Sequence, residues 1–197
     1  MIPAIARNFF LTALAVAASL SSSAQTTSGT QNGATNLPVK TTLASPIYVA
    51  GFLVRTTNAK EMDGNGEIPK LWTRFIQQNL GAQIPNRVGQ SLMVVYSDYA
   101  SDEKGEYTYL LGAPVTSVDG LPSNLSFRRI PPGSYATLTT AQGPLIQVLQ
   151  SAWKQIWTST PVQLGGPRAF VADYEIYDQR SADPNNAQVE VHVGLQP

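Results

Sequence analysis

Apolar residues along the chain recur at two spacings, one typical of strands and one typical of helices. Residues 47–56 form an apolar, β-branched run of strand length. A helix is predicted next, with Pro69 in its first turn and Gly81 as its C-cap. Its apolar positions recur at helical spacing along one stripe: Ile68, Leu71, Trp72, Phe75 and Ile76. Two strands joined by a polar hairpin loop are predicted after it, over residues 91–98 and 107–118.

The second half of the chain repeats this order. A strand over residues 135–140 precedes a helix that opens at 143–144, followed by two strands over 169–178 and 189–195. Residues 121–132 join the halves and hold a candidate short strand at 125–130. The pattern therefore predicts an α+β fold of duplicated β-α-β-β units, forming a curved antiparallel sheet. We expect two helices on one face of the sheet and a ligand cleft on the other.

The first 24 residues have the layout of a secretory signal peptide. Arg7 precedes the apolar run 9–20, and small residues at 22–24 form a cleavage site after Ala24. The alternative, an uncleaved membrane anchor, is disfavoured because about 20 apolar residues are needed to span a bilayer. We therefore predict a periplasmic or secreted bacterial protein without stable membrane insertion after cleavage. Residues 25–45 are polar and predict a flexible tether, followed by a folded domain over 46–197.

Charge and residue content exclude several classes of function. Arg7 is the only charged residue of the signal segment, so the rest of the chain carries 12 basic and 13 acidic residues. Such a balance offers no basic face for nucleic acid. The chain has no cysteine, and its single histidine, His192, lies in a predicted strand without a catalytic motif around it. No metal-binding or cofactor-binding motif is present, so we expect neither.

Aromatic residues are the main candidates for chemistry. The chain has three Trp and eight Tyr, and four of the tyrosines bracket the first hairpin: Tyr96, Tyr99, Tyr107 and Tyr109. Strand alternation places Glu175 and Tyr177 together, on the face that we expect to lie away from the helices. A carboxylate beside aromatic rings suits a flat organic cation. Strand statistics alone favour the alternative that Glu175 is an ordinary solvated residue.

The ordered set of motifs resembles the GyrI-like effector-binding domain. This domain is the ligand-sensing module of AraC-type and BmrR-type multidrug-responsive regulators, and the chain resembles most its stand-alone bacterial branch. The motifs that carry the resemblance, in chain order, are IPKLWTRF at 68–75, VYSDY at 95–99, GEYTYLLG at 105–112, IPPGSYA at 130–136, AWKQIW at 152–157 and DYEIY at 173–177.

The resemblance implies a ligand cleft between the two halves of the fold. It also implies that Glu175 faces this cleft and meets a hydrophobic, cationic small molecule. The expected walls of the cleft are aromatic: Trp72, Tyr96, Tyr109 and Tyr177. Trp153 and Trp157 are expected to pack the second helix, with the alternative that either of them reaches the cleft.

Two alternative functions remain open at this stage. Some relatives of the resembled family are implied to hydrolyse strained cyclopropane-containing compounds, with the cleft glutamate as the base. A module that docks a partner protein on an open sheet face is the other. Many family members carry a helix-turn-helix that binds DNA. The 197 residues leave no room for one beside the domain, so we do not expect transcriptional control to carry over.

Overall fold

In the computed structural model, which describes residues 37–197, eight strands pair into one antiparallel sheet. The strands are β1 Val39–Leu43, β2 Ile47–Thr56, β3 Leu92–Ser97, β4 Tyr107–Val115, β5 Ser126–Ile130, β6 Gly133–Thr139, β7 Ala172–Tyr177 and β8 Glu190–Gly194. The α-helices of the described chain are α1 Asn58–Met62, α2 Ile68–Gln77, α3 Leu145–Thr158 and α4 Pro161–Leu164. Short 3-10 helices cover Leu80–Gln83 and Gln179–Ser181.

The predicted duplication is present in the order of the elements. The first unit is β2-α2-β3-β4 and the second is β6-α3-β7-β8, and β3 pairs with β7 where the two units meet. Across the sheet the strands run β1-β6-β8-β7-β3-β4-β2-β5. The prediction of an α+β fold on a curved antiparallel sheet is confirmed, as is the predicted short strand, which is β5.

The predicted flexible tether is wrong for its last residues. Residues Val39–Leu43 form β1, which pairs antiparallel with β6 at one edge of the sheet. Thr41 adds a side-chain hydrogen bond, 2.7 Å between its Oγ1 and that of Thr137. The polar composition of residues 39–43 gave no hydrophobic signal for a strand. An edge strand can be stable without one, because its backbone hydrogen bonds to the neighbouring strand stabilise it. The predicted signal peptide and the rest of the predicted tether lie outside the described residues.

Gly81 has a different role from the predicted helix cap. Helix α2 ends earlier, at Gln77 with Gln78 as its C-cap, and the left-handed residue that follows is Asn79, with φ of 49°. Gly81 lies in the 3-10 turn instead, where an added Cβ would come within 3.3 Å of the Phe75 ring. The glycine thus lets this turn pack closely against Phe75, and it is not the residue that reverses the chain.

Both long helices lie on the same face of the sheet, which we call the helix face. Helix α2 buries Leu71 and Phe75 against β2 and β4, and α3 buries Ala152 and Ile156 against β6 and β8. The two helices therefore cover different halves of the sheet. The space between them opens onto its centre, where β3 and β7 lie.

The opposite face of the sheet is closed, so the predicted cleft on that face is wrong. Its residues form a core of their own: Val49, Met93, Val95, Leu110, Ile130, Tyr135 and Tyr174. The sheet curves until β5 contacts β3 and β7, and Arg128 on β5 pairs with Asp98 beyond the end of β3 at 2.7 Å. Curvature thus fills this face with the side chains of the sheet itself.

Candidate ligand-binding site

Glu175 lies in the middle of β7 and points to the helix face. The alternation predicted for this strand is correct, since Glu175 lies beside Val94 of β3 and Val191 of β8, which belong to the cores under the helices. The predicted direction is reversed, because the apolar set with Tyr174 faces the closed side. Glu175 therefore lies under the gap between the helices, only 2 % exposed to solvent.

Three neutral donors bind the Glu175 carboxylate. Oε1 accepts hydrogen bonds from the Tyr96 hydroxyl at 2.9 Å and from Trp153 Nε1 at 2.7 Å. Oε2 accepts one from the Tyr177 hydroxyl at 2.6 Å. Within residues 37–197 no Lys, Arg or His side chain forms an ion pair with this carboxylate, so its charge is solvated only by neutral dipoles.

Burial raises the pKa of Glu175 above the value of an ordinary glutamate, because desolvation disfavours the charged form. The hydrogen bonds from Tyr177, Trp153 and Tyr96 oppose this shift. Burial, and then the nearby Glu175, raise the pKa of Tyr96, Tyr109 and Tyr177 well above that of a free tyrosine. These three phenols therefore stay protonated at neutral pH.

Aromatic rings from the sheet and from α2 enclose the carboxylate, as the resemblance implied. Tyr96 and Tyr109 lie opposite each other on β3 and β4, with ring centroids 5.1 Å apart in an edge-to-face arrangement. Trp72 on α2 packs edge-to-face on Tyr177 at 5.3 Å and donates from Nε1 to the Tyr109 hydroxyl at 2.8 Å. All four predicted wall residues are thus brought together around Glu175.

Trp153 is a site residue that the sequence interpretation assigned to helix packing. Its indole nitrogen binds Glu175 directly, and its ring packs edge-to-face on Tyr96 at 4.9 Å. Each long helix carries a tryptophan one position after a buried residue, Trp72 after Leu71 and Trp153 after Ala152. The similarity of LWTRFI and AWKQIW was the available signal, because equivalent positions of duplicated helices face the same gap.

A cavity of about 940 Å³ lies between α2, α3 and the sheet. Glu175 and the rings described above line it, and Trp157 and Ile146 of α3 lie at its exposed rim. Two other acidic residues line it, and both have partners. Glu61 accepts from the backbone N–H of Glu67 and Ile68 at the start of α2, and Glu103 lies 3.9 Å from Arg168. Glu175 differs from both in its burial, because Glu61 and Glu103 are partly exposed to solvent.

His192 lies on β8, away from this cavity. It stacks on Tyr174 of the closed face at 4.3 Å, and its Nδ1 lies 2.9 Å from the Thr137 hydroxyl. It is therefore a structural histidine in a strand of the sheet core.

Across residues 37–197 no group of three or more His, Cys, Asp and Glu side chains is arranged to hold a metal ion. None of the described helices is both long and apolar enough to cross a membrane.

Comparisons with known proteins point to one group. The family model of Cass2, described as an integron-associated effector binding protein, matches residues 44–195. YobU of Bacillus subtilis (strain 168), named as a candidate transcriptional regulator, is 34 % identical over 147 residues, covering 74 % of this chain and 90 % of YobU.

Solved structures repeat the fold. An integron cassette protein from the mobile metagenome of Vibrio cholerae, VCH_CASS2, superposes with a TM-score of 0.64 and 27 % identity, covering 82 % of this chain and 97 % of that one. SAV2435, solved bound to tetraphenylphosphonium, superposes with a TM-score of 0.65 and 12 % identity, covering 81 % and 93 % of the two chains. The second likeness concerns the fold alone.

Proposed function

Since this chain belongs to the Cass2 family of integron-associated effector binding proteins, we propose that it binds a hydrophobic organic cation in the cavity around Glu175. Small-molecule binding is the shared property of effector-binding domains. The class of ligand is the part that we add. It follows from the chemistry of the cavity.

The observation that carries the proposal is that Glu175 is a buried carboxylate without a cationic partner among residues 37–197. An ionised carboxylate removed from water costs several kcal/mol unless a positive charge or hydrogen bonds compensate it. Glu175 has three neutral donors and no cationic partner among residues 37–197. A ligand cation in the cavity would supply the missing positive charge.

The walls of the cavity suit the apolar part of such a ligand. Tryptophan and tyrosine faces attract a cation by about 0.5–2 kcal/mol per good contact, and more when water is excluded. Trp72, Trp153 and Tyr96 present such rings near the carboxylate. The volume is within the range of small-molecule sites, which is about 300–1,000 Å³. SAV2435, a protein of the same fold, holds tetraphenylphosphonium, a cation of this type.

Export is a second part of the proposal. The signal-peptide pattern of residues 1–24 favours a site that works in the periplasm or outside the cell. The mass of the protein recovered from a periplasmic extract tests this. Cleavage after Ala24 predicts a chain that begins at Gln25, whereas a full-length chain in the cytosol would contradict export.

Titration with tetraphenylphosphonium tests the ligand class. Saturable quenching of tryptophan fluorescence is expected, because Trp72 and Trp153 line the cavity. Glu175→Gln should weaken binding by about 30-fold or more, since a charge-assisted contact is worth about 2 kcal/mol. Glu106→Gln is the matched control, because Glu106 is an exposed carboxylate paired with Arg55 outside the cavity. Absence of saturable binding to tetraphenylphosphonium and to other aromatic cations would contradict the proposal.

Hydrolysis is a second candidate function, favoured by the raised pKa of Glu175. A carboxylate with such a pKa is a stronger base than an ordinary one. Mass spectrometry of a cyclopropane-containing compound after incubation with the protein distinguishes the two functions. A hydrated product formed by the wild-type chain and not by Glu175→Gln would favour an enzyme, and an unchanged compound would favour binding alone. The cavity and the closed opposite face do not favour the partner-docking alternative.

A further inference from the structure

The acceptor positions of Glu175 are nearly all occupied by the protein. A carboxylate offers about four lone-pair positions to hydrogen-bond donors. Two donors, Tyr96 and Trp153, share Oε1, and Tyr177 binds Oε2. About one position is left, and it is on Oε2.

Because most acceptor positions of Glu175 are occupied, cations with N–H donors and cations without them should bind with different affinity. A protonated primary amine has three N–H donors, and each donor left without an acceptor in a dry site costs about 1–3 kcal/mol. A quaternary ammonium or phosphonium has none, so Glu175 can attract its charge without giving up a hydrogen bond. The charge and the rings are all that such a ligand needs.

The other carboxylates of the cavity offer little compensation to an amine. Glu61 already accepts hydrogen bonds from the Thr56 hydroxyl and from two backbone N–H groups. Glu103 lies beside Arg168, whose positive charge opposes a second cation there. An amine that reaches Glu175 can donate one hydrogen bond to the free position on Oε2, but its other two N–H groups must displace a protein donor or keep their own water.

Resting on the proposed function, we propose that the cavity prefers cations without N–H donors over protonated amines of the same shape. Tyr96, Trp153 and Tyr177 are the specificity-determining residues, because their donors occupy the carboxylate. Their role is distinct from that of the aromatic walls, which favour both kinds of cation alike.

A pair of probes with one aromatic body tests this preference. The probes are 4-phenylbenzyl-trimethylammonium and 4-phenylbenzylammonium, both cationic at pH 7, with tetraphenylphosphonium as the reference ligand. The trimethylammonium probe is expected to bind at least about tenfold tighter to the wild-type protein, because two N–H donors of the primary amine lack an acceptor and one of them alone corresponds to about that factor. The monomethylated amine should fall between them, and the dimethylated amine, whose single N–H can use the free position on Oε2, should approach the trimethylammonium probe.

The trimethylammonium probe could bind more tightly because the acceptors of Glu175 are occupied or because its methyl groups are more hydrophobic. Two substitutions distinguish these explanations. Tyr96→Phe and Tyr177→Phe each remove one donor and keep the ring, so each frees an acceptor for the amine. The ratio of the two dissociation constants should fall by about threefold to tenfold in each. Tyr109→Phe is the matched control, because its hydroxyl lies in the same cavity and accepts from Trp72, with no hydrogen bond to Glu175. There the ratio should stay at the wild-type value, whatever the change in absolute affinity.

The outcomes distinguish the two proposals. If neither probe nor tetraphenylphosphonium binds, the proposed function fails. If they bind but the wild-type affinities are equal or favour the amine, the proposed function stands and the preference is overturned. An unchanged ratio in folded Tyr96→Phe and Tyr177→Phe also overturns it. Should these variants not fold, the methylation series on the wild-type protein still decides, and a flat or reversed series contradicts the inference.

Discussion

Strand β7 carries two buried carboxylates on the same face, and their surroundings differ. Asp173 is completely buried and binds Arg168 in an ion pair of 2.6 Å. It also accepts hydrogen bonds from the Tyr99 hydroxyl at 2.7 Å and from the backbone N–H of Gly194 at 2.8 Å. Glu175, two residues along, has hydrogen bonds of similar length but no cation within the described chain.

This difference indicates a structural role for Asp173 and agrees with the ligand-binding role that we propose for Glu175. The charge of Asp173 is balanced inside the protein, and its bonds join β7 to β8 and to the segments at 99 and 168. Glu175 has no counterion among residues 37–197 and lies beside an open cavity. Perturbed, incompletely compensated groups in a cleft are typical of functional sites. The comparison therefore supports the proposal that Glu175 binds the ligand, and it indicates a stabilising role for Asp173.

The largest expected effect is on the stability of Asp173→Asn. Removing one partner of a buried ion pair costs about 3–5 kcal/mol. In this variant Arg168 would keep only Glu103 as an acidic partner among residues 37–197, and Glu103 is partly exposed and 3.9 Å away. We expect this loss in the free energy of unfolding, measured by urea denaturation at pH 7. The ring of Phe170, 4.2 Å below the Arg168 guanidinium, does not replace the lost carboxylate.

Glu175→Gln is the matched control for that experiment. Because the folded-state pKa of Glu175 is raised, its contribution to stability is full below the pKa of an unfolded glutamate and is lost as the pH rises through the folded-state value. At pH 7 the neutral amide should thus unfold within about 1 kcal/mol of the wild-type protein, or be more stable. Equal losses in the two variants would show that both carboxylates are structural.

A smaller effect is expected from pH on ligand affinity. A permanently charged ligand such as tetraphenylphosphonium favours the ionised form of Glu175, whose pKa lies above the ordinary 4.5. Its affinity should rise about tenfold per pH unit below that raised pKa and level off above it. The neighbouring phenols do not titrate in this range, since their pKa values lie well above that of free tyrosine.

The control for the pH series is again Glu175→Gln, in which fluorescence titrations from pH 4 upward should give a nearly constant affinity. A wild-type affinity that does not change with pH would mean that Glu175 is already ionised throughout or does not contact the ligand. A slope that persists in Glu175→Gln would assign the titration to another group.

The order of elements was predictable because it depends on local patterns. Hydrophobic spacing identified α2 and α3, and apolar runs identified the strands of both units within a few residues. Strand β1 was not predicted, because its stability comes from pairing with β6, about 95 residues away in the sequence, and not from its own side chains. Helix α1 was not predicted either, because it is a single short turn capped by Thr57 and too short for a helical pattern of apolar residues.

The face of the cleft could not be predicted from alternation. Alternation states which residues of β7 share a face, but both faces of this sheet are buried, one under helices and one under the curl of the sheet. An apolar set with Tyr174 fits either side. Only the register of β7 beside β3 and β8, together with the curvature of the sheet, directs Glu175 under the gap between the helices.

Part of the composition of the site was predictable from the sequence motifs. Trp72, Tyr96, Tyr109 and Tyr177 were expected from the resemblance, and the fold brings them together around Glu175. For Trp153, packing of the second helix was the favoured prediction and reach into the cleft the alternative, because helical spacing places it beside a core stripe and says nothing about the gap between the two helices.

The most direct test of the central claim is to locate a bound cation by its scattering. A crystal of the protein soaked with tetraphenylarsonium, with data collected at the arsenic absorption edge, would show the position of the charged atom. We predict one strong anomalous peak inside the cavity, within about 6 Å of the Trp72 and Trp153 rings and beside the Glu175 carboxylate. A cavity without a peak, in crystals where arsenic is found only on the outer surface, would contradict the assignment of Glu175 as the cation-binding group.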